Sequence, residues 1–158
     1  MDLRDAFRTR VYRPMVALLR QGLTPGRLAF SVVLGGALGI IPVPWVSTVM
    51  CGVIALVFRL NQVAIQIGNV GVYPLQFLLF LPYVRAGEWL FGVEPLPFSV
   101  TQLAEMLQAD PVGTLREFGE TMARAVVAWL VLTPPVAVIA YALLKPIAAR
   151  LVPTAKGP

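Results

Sequence analysis

The sequence contains no histidine and a single cysteine, Cys51, among its 158 residues. Histidine is the side chain used most for proton transfer near neutral pH and is one of the main metal ligands. A lone cysteine can form neither an internal disulfide nor a cysteine metal cluster. These absences argue against a hydrolase triad, a zinc enzyme and a haem protein. We therefore expect no catalytic activity, no metal and no cofactor.

Charge is also scarce. Charged residues are 13% of the chain and hydrophobic residues are 58%, with a mean hydropathy of +0.77, whereas a soluble domain has about 25% charged residues. This number of charges is too small to cover the surface of a domain of this size. We therefore expect part of that surface to face lipid or a protein partner. We expect a small integral membrane protein that contacts membrane lipids and no nucleic acid.

Three long runs carry no charge: residues 28–58, 60–84 and 125–144. Each is a candidate membrane segment, because a span needs about 20 apolar residues. The first 27 residues hold six arginines and two aspartates, a pattern that differs from a signal peptide. The membrane domain is therefore predicted to cover residues 28–150, with a disordered tail over 151–158.

The first uncharged run is predicted to fold back on itself. As one helix, residues 28–58 would measure about 46 Å, well over a hydrocarbon core of about 30 Å. Near its middle stands Pro42-Val43-Pro44, and closely spaced prolines break a helix. The two arms of about 20 Å each suit a re-entrant hairpin that leaves by the side it entered. The alternative is one long span kinked at the prolines.

The distribution of charge favours the hairpin. Six arginines lie in residues 1–27 and three cations without an acid lie in 145–158, whereas 85–124 carries six acids against three arginines. Because cytoplasmic flanks are rich in lysine and arginine, both termini are predicted to be cytoplasmic and the middle stretch exoplasmic. Two crossings, 60–84 and 125–144, satisfy this only if the first run re-enters. The predicted fold class is an all-α, polytopic membrane helix bundle.

The flanking segments have helical signatures of their own. Residues 3–20 are amphipathic and basic, which suits a helix on an anionic membrane surface or one packed on the bundle. In the exoplasmic stretch, Ser99 and Asp110-Pro111 are predicted to begin two amphipathic helices. The Pro134-Pro135 pair leaves two options for the last run, a kinked span or, less favoured, a second hairpin.

Small and polar residues predict how the membrane segments meet. Ser31, Gly35 and Gly39 form a strip that lets another helix approach closely. In the second run, Gly68, Gly71 and Pro74 interrupt the helix, as in a site built from discontinuous helices. One helical face is polar, and its amides either bond to the hairpin or line a polar cavity: Gln62, Gln66, Asn69, Tyr73 and Gln76.

The candidate binding residues surround these breaks. The second hairpin arm starts near Ser47 and Thr48, where a helix N-terminus could hold a phosphate or carboxylate. Charged residues at the membrane edge are functional candidates, although an edge arginine also serves topology. The full set comprises Pro42, Pro44, Ser47, Thr48, Arg59, Asn61, Gln62, Gln66, Asn69, Tyr73, Gln76, Arg85 and Glu88.

An ordered set of motifs resembles a known family. The glycines of residues 35–39, Ile41-Pro42-Val43-Pro44, Arg59-Leu60-Asn61, a proline further on and Gly87-Glu88-Trp89-Leu90-Phe91-Gly92 resemble the bacterial membrane family called domain of unknown function 2062. The resemblance implies a bacterial inner-membrane protein with no established activity. Fusion of some relatives to glycosyltransferase-like domains points toward the cell envelope. This chain has Tyr73-Pro74 where the family usually has Asn-Pro, so Asn69 is the candidate substitute for that amide.

Two functional hypotheses follow. The first is transport or flipping of an amphipathic anionic substrate, such as a lipid-linked phosphate, through the polar break region. The alternative is a non-catalytic membrane anchor or scaffold for an envelope-synthesis enzyme such as a glycosyltransferase, or for a second copy of this chain. An integral membrane enzyme ranks last because the chain lacks histidine.

Overall fold

The computed structural model describes residues 24–43, 46–96 and 100–151. This part of the chain forms six α-helices and no strand, which confirms the all-α prediction; in order, α1 to α6 are Pro25–Gly39, Val46–Val57, Gln62–Gly71, Tyr73–Phe91, Val100–Ala109 and Pro111–Leu151. Several predictions lie outside the described residues: the helix over 3–20, the cap at Ser99, the position of Pro44 and the tail beyond residue 151.

The uncharged run 28–58 is two helices and not one rod. Helix α1 ends at Gly39 and α2 begins at Val46. The two far ends of the pair meet, because Arg27 Nη2 at the start of α1 donates a hydrogen bond to the carbonyl oxygen of Arg59, just after α2, at 2.9 Å. The chain therefore returns to the place where this run began.

Helices α1 and α3 touch through their backbones. A β-carbon on Gly35 would collide with the carbonyl oxygen of Ile65, and one on Gly68 would collide with the carbonyl oxygen of Val32. The predicted close approach at the small-residue strip is thus confirmed, and α3 is the helix that makes it. Ser31, also on this strip, is buried and donates its hydroxyl to the carbonyl of Arg27 at 2.8 Å.

The run 60–84 is bent. Helix α3 is capped by the Asn61 side chain, which accepts from Ala64 N at 2.8 Å, and it ends at Gly71. Helix α4 starts at Tyr73, and the two axes meet at 61°. The bend follows from a proline in the first turn of α4, which has no N–H with which to continue the ladder of α3.

Helix α4 continues past the boundary that charge predicted. Arg85 does not end it, since its Nη1 pairs with Glu88 Oε2 one turn later at 2.8 Å. The helix ends at Phe91, where Gly92 adopts a left-handed φ of 63° that favours glycine. Charged side chains that pair along a helix therefore leave no break in its backbone.

Helix α6 likewise joins two segments that the charge pattern separated. Asp110 caps it as predicted, accepting from Gly113 N at 2.9 Å. The helix then continues across the expected boundary near Arg124, whose guanidinium pairs with Glu120 at 3.0 Å. It also continues through Pro134 and Pro135, so the second-hairpin alternative is wrong.

Helix α6 runs along both α1 and α4. Trp129 Nε1 donates to the carbonyl of Ala37 at 2.9 Å, and the hydroxyls of Tyr83 and Thr133 lie 3.0 Å apart in the core. Within the described residues, α6 is long and apolar enough over Pro111–Arg150 to cross a membrane, and the bent pair α3–α4 makes a second candidate if it counts as one span.

Candidate ligand-binding cleft

A cleft of about 810 Å³ lies where the hairpin turns and α4 begins. Its volume is within the usual range of about 300–1,000 Å³ for small-molecule sites. The described wall is mostly apolar, with two hydroxyls, a phenol and an amide, and it contains no acidic or basic side chain. The residues are Ile41, Pro42, Ser47, Thr48, Val49, Tyr73, Gln76, Phe77 and Phe80.

The Thr48 side chain connects the two walls of the cleft. Its hydroxyl lies 2.9 Å from the Tyr73 hydroxyl on α4, and it accepts a hydrogen bond from Asn69 Nδ2 on α3 at 3.2 Å. One residue of α2 therefore contacts both helices on either side of the bend. Any movement of α2 away from α3 and α4 must break these bonds.

The backbone carbonyl of Thr48 fixes the orientation of the Gln66 and Asn69 side-chain amides. Gln66 Nε2 donates to the backbone carbonyl of Thr48 at 3.2 Å, and a carbonyl can only accept. Gln66 Oε1 therefore faces Asn69 and accepts from its Nδ2 at 3.2 Å. The remaining atom, Asn69 Oδ1, is buried with no hydrogen-bond partner among the described residues, an arrangement that costs about 1–3 kcal/mol.

The other polar residues of this face contact backbone carbonyls of the hairpin. Gln62 Nε2 donates to Gly52 O at 3.0 Å, and Gln76 Nε2 donates to Ile41 O at 3.0 Å. The predicted bonds to the hairpin are therefore present, whereas the polar cavity of the other alternative stays a prediction, because the cleft wall is mostly apolar. Gln62 and Gln66 hold α2, whereas Tyr73 and Gln76 also line the cleft.

Four of the candidate residues lie away from the cleft. Arg59 and Asn61 stand at the base of the hairpin, the end opposite its turn, where Arg27 meets Arg59 and the chain enters α3. Arg85 and Glu88 lie further along α4. Glu88 is buried, and its Oε1 accepts from Leu96 N at 2.9 Å, so the pair fixes the chain after α4. None of the four is among the residues that line the cleft.

The sequence interpretation missed the aromatic wall. Phe77 and Phe80 follow Tyr73 by four and seven residues, which places all three on one side of α4. That spacing was available in the sequence. The role of the Ile41 carbonyl as an acceptor was not, because it depends on how the hairpin turn meets α4.

The fold and the cleft define an all-helical protein with an apolar-walled cavity beside a helix break. A family model described as an uncharacterized protein conserved in bacteria (DUF2062) matches residues 7–155, and the chain belongs to this family. No curated protein and no solved structure matches the chain.

Proposed function

We propose that this protein is a multi-pass protein of the bacterial inner membrane that binds an amphipathic lipid in the cleft and moves it within the envelope membrane. The cleft carries this proposal, because it combines apolar walls with a small polar end. Membrane placement, topology and the polar end each contribute a separate argument.

The surface of α6 supports a place in the bilayer. Only 11% of its most apolar window is buried, whereas the core helix of a soluble domain is mostly buried. Between Arg124 and Lys145 the helix measures about 31 Å at about 1.5 Å per residue, close to a hydrocarbon core of about 30 Å. Its exposed apolar side chains include Val131, Val138 and Leu143.

The base of the hairpin, where its two arms begin and end, supports re-entry. Arg27 and Arg59 lie together, at the end of the bundle where Ala148 of α6 packs with Leu28 and Ala29. This end carries the basic C-terminal turn of α6, and the positive-inside rule supports the proposal that it and both termini are cytoplasmic. The hairpin tip contacts α6 at Trp129, about 24 Å along that helix from Lys145.

The cleft suits a lipid that enters sideways. Val49 and Phe77 line it and are 67% and 80% exposed, so it opens on the flank of the bundle that would face acyl chains. The polar group of the lipid would meet Thr48, Tyr73 and Gln76. A phosphate would be held by the N-terminus of α2, whose first-turn N–H groups lack helical acceptors.

The anchor hypothesis keeps less support. An anchor needs a free surface for its partner, and the strip of Ser31, Gly35 and Gly39 would suit one, yet Gly35 is in contact with Ile65 of the same chain. The strip is therefore occupied within the fold, which favours the transport proposal over a scaffold.

A transport assay with a matched pair of variants tests the proposal. In liposomes that contain fluorescent phosphatidylglycerol, we expect the protein to speed lipid exchange between leaflets, measured by quenching with dithionite. Val49→Trp should slow exchange about tenfold, a barrier increase of about 1.4 kcal/mol, because the indole fills the cleft.

Val53→Trp is the control, since Val53 is exposed on the next turn of α2 and does not line the cleft. It should exchange lipid at the wild-type rate. Wild-type protein that leaves exchange unchanged, or two tryptophan variants that behave alike, would contradict the proposal.

A further inference from the structure

Positively charged side chains lie at the base of the hairpin, the end opposite its turn. Arg27 donates to the carbonyl of Arg59, which brings the backbone of Arg59 against the guanidinium of Arg27. The bond uses only the backbone of Arg59, and the residue is exposed. Two arginines are therefore neighbours at this end of the hairpin, although like charges repel.

Helix α6 adds a third cation and a hydroxyl at this end. The Tyr141 hydroxyl lies 3.3 Å from the point where a β-carbon on Gly26 would stand, and the Tyr141 ring contacts Phe30 edge-on. Lys145 Nζ lies 6.0 Å from the centre of the same ring. The start of α1 therefore contacts Arg59 and Tyr141, and Lys145 lies beside the Tyr141 ring.

Within the described residues, the segments that form this end carry no acid to balance these charges. The sequence has no aspartate or glutamate from residue 24 to residue 87 or after Glu120. The N-termini of α1 and α3, capped by Thr24 and Asn61, lie at this end and add the positive ends of two helix dipoles. The arrangement favours an anion from outside the chain.

We propose that this end binds the phosphate group of an anionic membrane lipid between Arg27, Arg59 and Lys145, with the Tyr141 hydroxyl as a further donor. The four residues are called the basic cluster. Arginine forks match the oxygens of phosphate, and the proposed cytoplasmic leaflet is rich in anionic lipids. The basic cluster lies at the opposite end of α2 from the cleft, so this inference does not depend on transport.

The structure allows the anion site to be separated from the hairpin contact. The contact uses the backbone carbonyl of Arg59, so Arg59→Gln removes a charge and leaves that hydrogen bond in place. Arg150→Gln is the matched control, because Arg150 is exposed on the last turn of α6 and lies outside the basic cluster. Both variants lower the charge of the same end by one.

The experiment measures how phosphatidylglycerol, phosphatidylcholine and inorganic phosphate raise the Tm of the detergent-solubilised full chain. We expect phosphatidylglycerol alone to stabilise the protein. Its apparent affinity should fall about fivefold in Arg59→Gln and by less than about twofold in Arg150→Gln, since an ordered charged hydrogen bond outweighs diffuse attraction.

Equal losses in the two variants would show diffuse attraction without a site and overturn the proposal. Equal stabilisation by phosphatidylcholine would show that the charge of the lipid has no role. Equal stabilisation by inorganic phosphate would show that the site binds a free anion and not a lipid. Either result would contradict the assignment. Unchanged Tm values of the lipid-free variants would confirm that the fold is intact.

Discussion

Helix α3 makes two different contacts with the two arms of the hairpin. Against α1 it packs backbone to backbone, with Gly35 and Gly68 at the points of contact. Against α2 it is joined by side-chain amides such as Gln62 and Gln66, which reach carbonyl groups across the gap. The first contact has no room for a side chain, whereas the second combines separate hydrogen bonds with the packing of Cys51 and Ala55 against Ile65, so we expect it to adjust more easily. The arm that borders the cleft is therefore the adjustable one.

The largest effect should come from filling the α1–α3 contact. Gly68→Ala places a methyl group against the carbonyl of Val32, and neither backbone can move without distorting its helix. We expect a loss of about 1–3 kcal/mol or more in the free energy of unfolding, measured by denaturation in detergent.

Gly52→Ala is the control for this prediction. A β-carbon at Gly52, in the middle of α2, would meet nothing within 4 Å. Alanine is the better helix former, so we expect no loss and a gain of up to about 1 kcal/mol. Equal destabilisation by the two alanine variants would remove the distinction between the arms.

A smaller effect is expected at the junction of the adjustable arm. Thr48→Val keeps the shape of the side chain but removes the hydroxyl that joins Asn69 and Tyr73. The loss should be about 1 kcal/mol, because Tyr73 loses its hydroxyl partner and the buried Asn69 amide keeps only its bond to Gln66. A double-mutant cycle with Tyr73→Phe should give a coupling of about 0.5–1.5 kcal/mol, and additive effects would contradict the proposed bond.

The smallest effect is expected at the exposed end of the same contact. Gln62→Met removes the bond to the Gly52 carbonyl, which water can replace because Gln62 is exposed. We expect a change within about 0.5 kcal/mol in the same unfolding measurement. A loss as large as that of Thr48→Val would show that α2 is held along its whole length.

The sequence carried the local features of this fold well. Paired prolines located the break between α1 and α2, and the spacing of Ser31, Gly35 and Gly39 located a helix contact. Spacing defines which residues share a face. It does not identify the partner of that face, so α3 as the neighbour of the strip emerged only from the structure.

The features that sequence reasoning missed depend on tertiary distances. Arg59 and Arg85 are candidates because they are charged residues at the edge of the uncharged runs, but α2 and α4 carry them away from the cleft. The membrane boundary expected at Arg124 stays a prediction, because helix α6 continues through this residue without a break. Charge marks the polar zone of a chain, whereas a helix ends only where its backbone hydrogen bonds end.

The central claim is that residues 28–58 leave the membrane by the face they entered. Single cysteines at Thr24 and Phe58, with Cys51→Ala as background, can be labelled by an impermeant maleimide in right-side-out and inside-out vesicles, with Glu117→Cys as the reference for the opposite face. We predict that positions 24 and 58 react only in inside-out vesicles and that position 117 reacts only in right-side-out vesicles. Labelling of positions 24 and 58 from opposite faces would contradict the account.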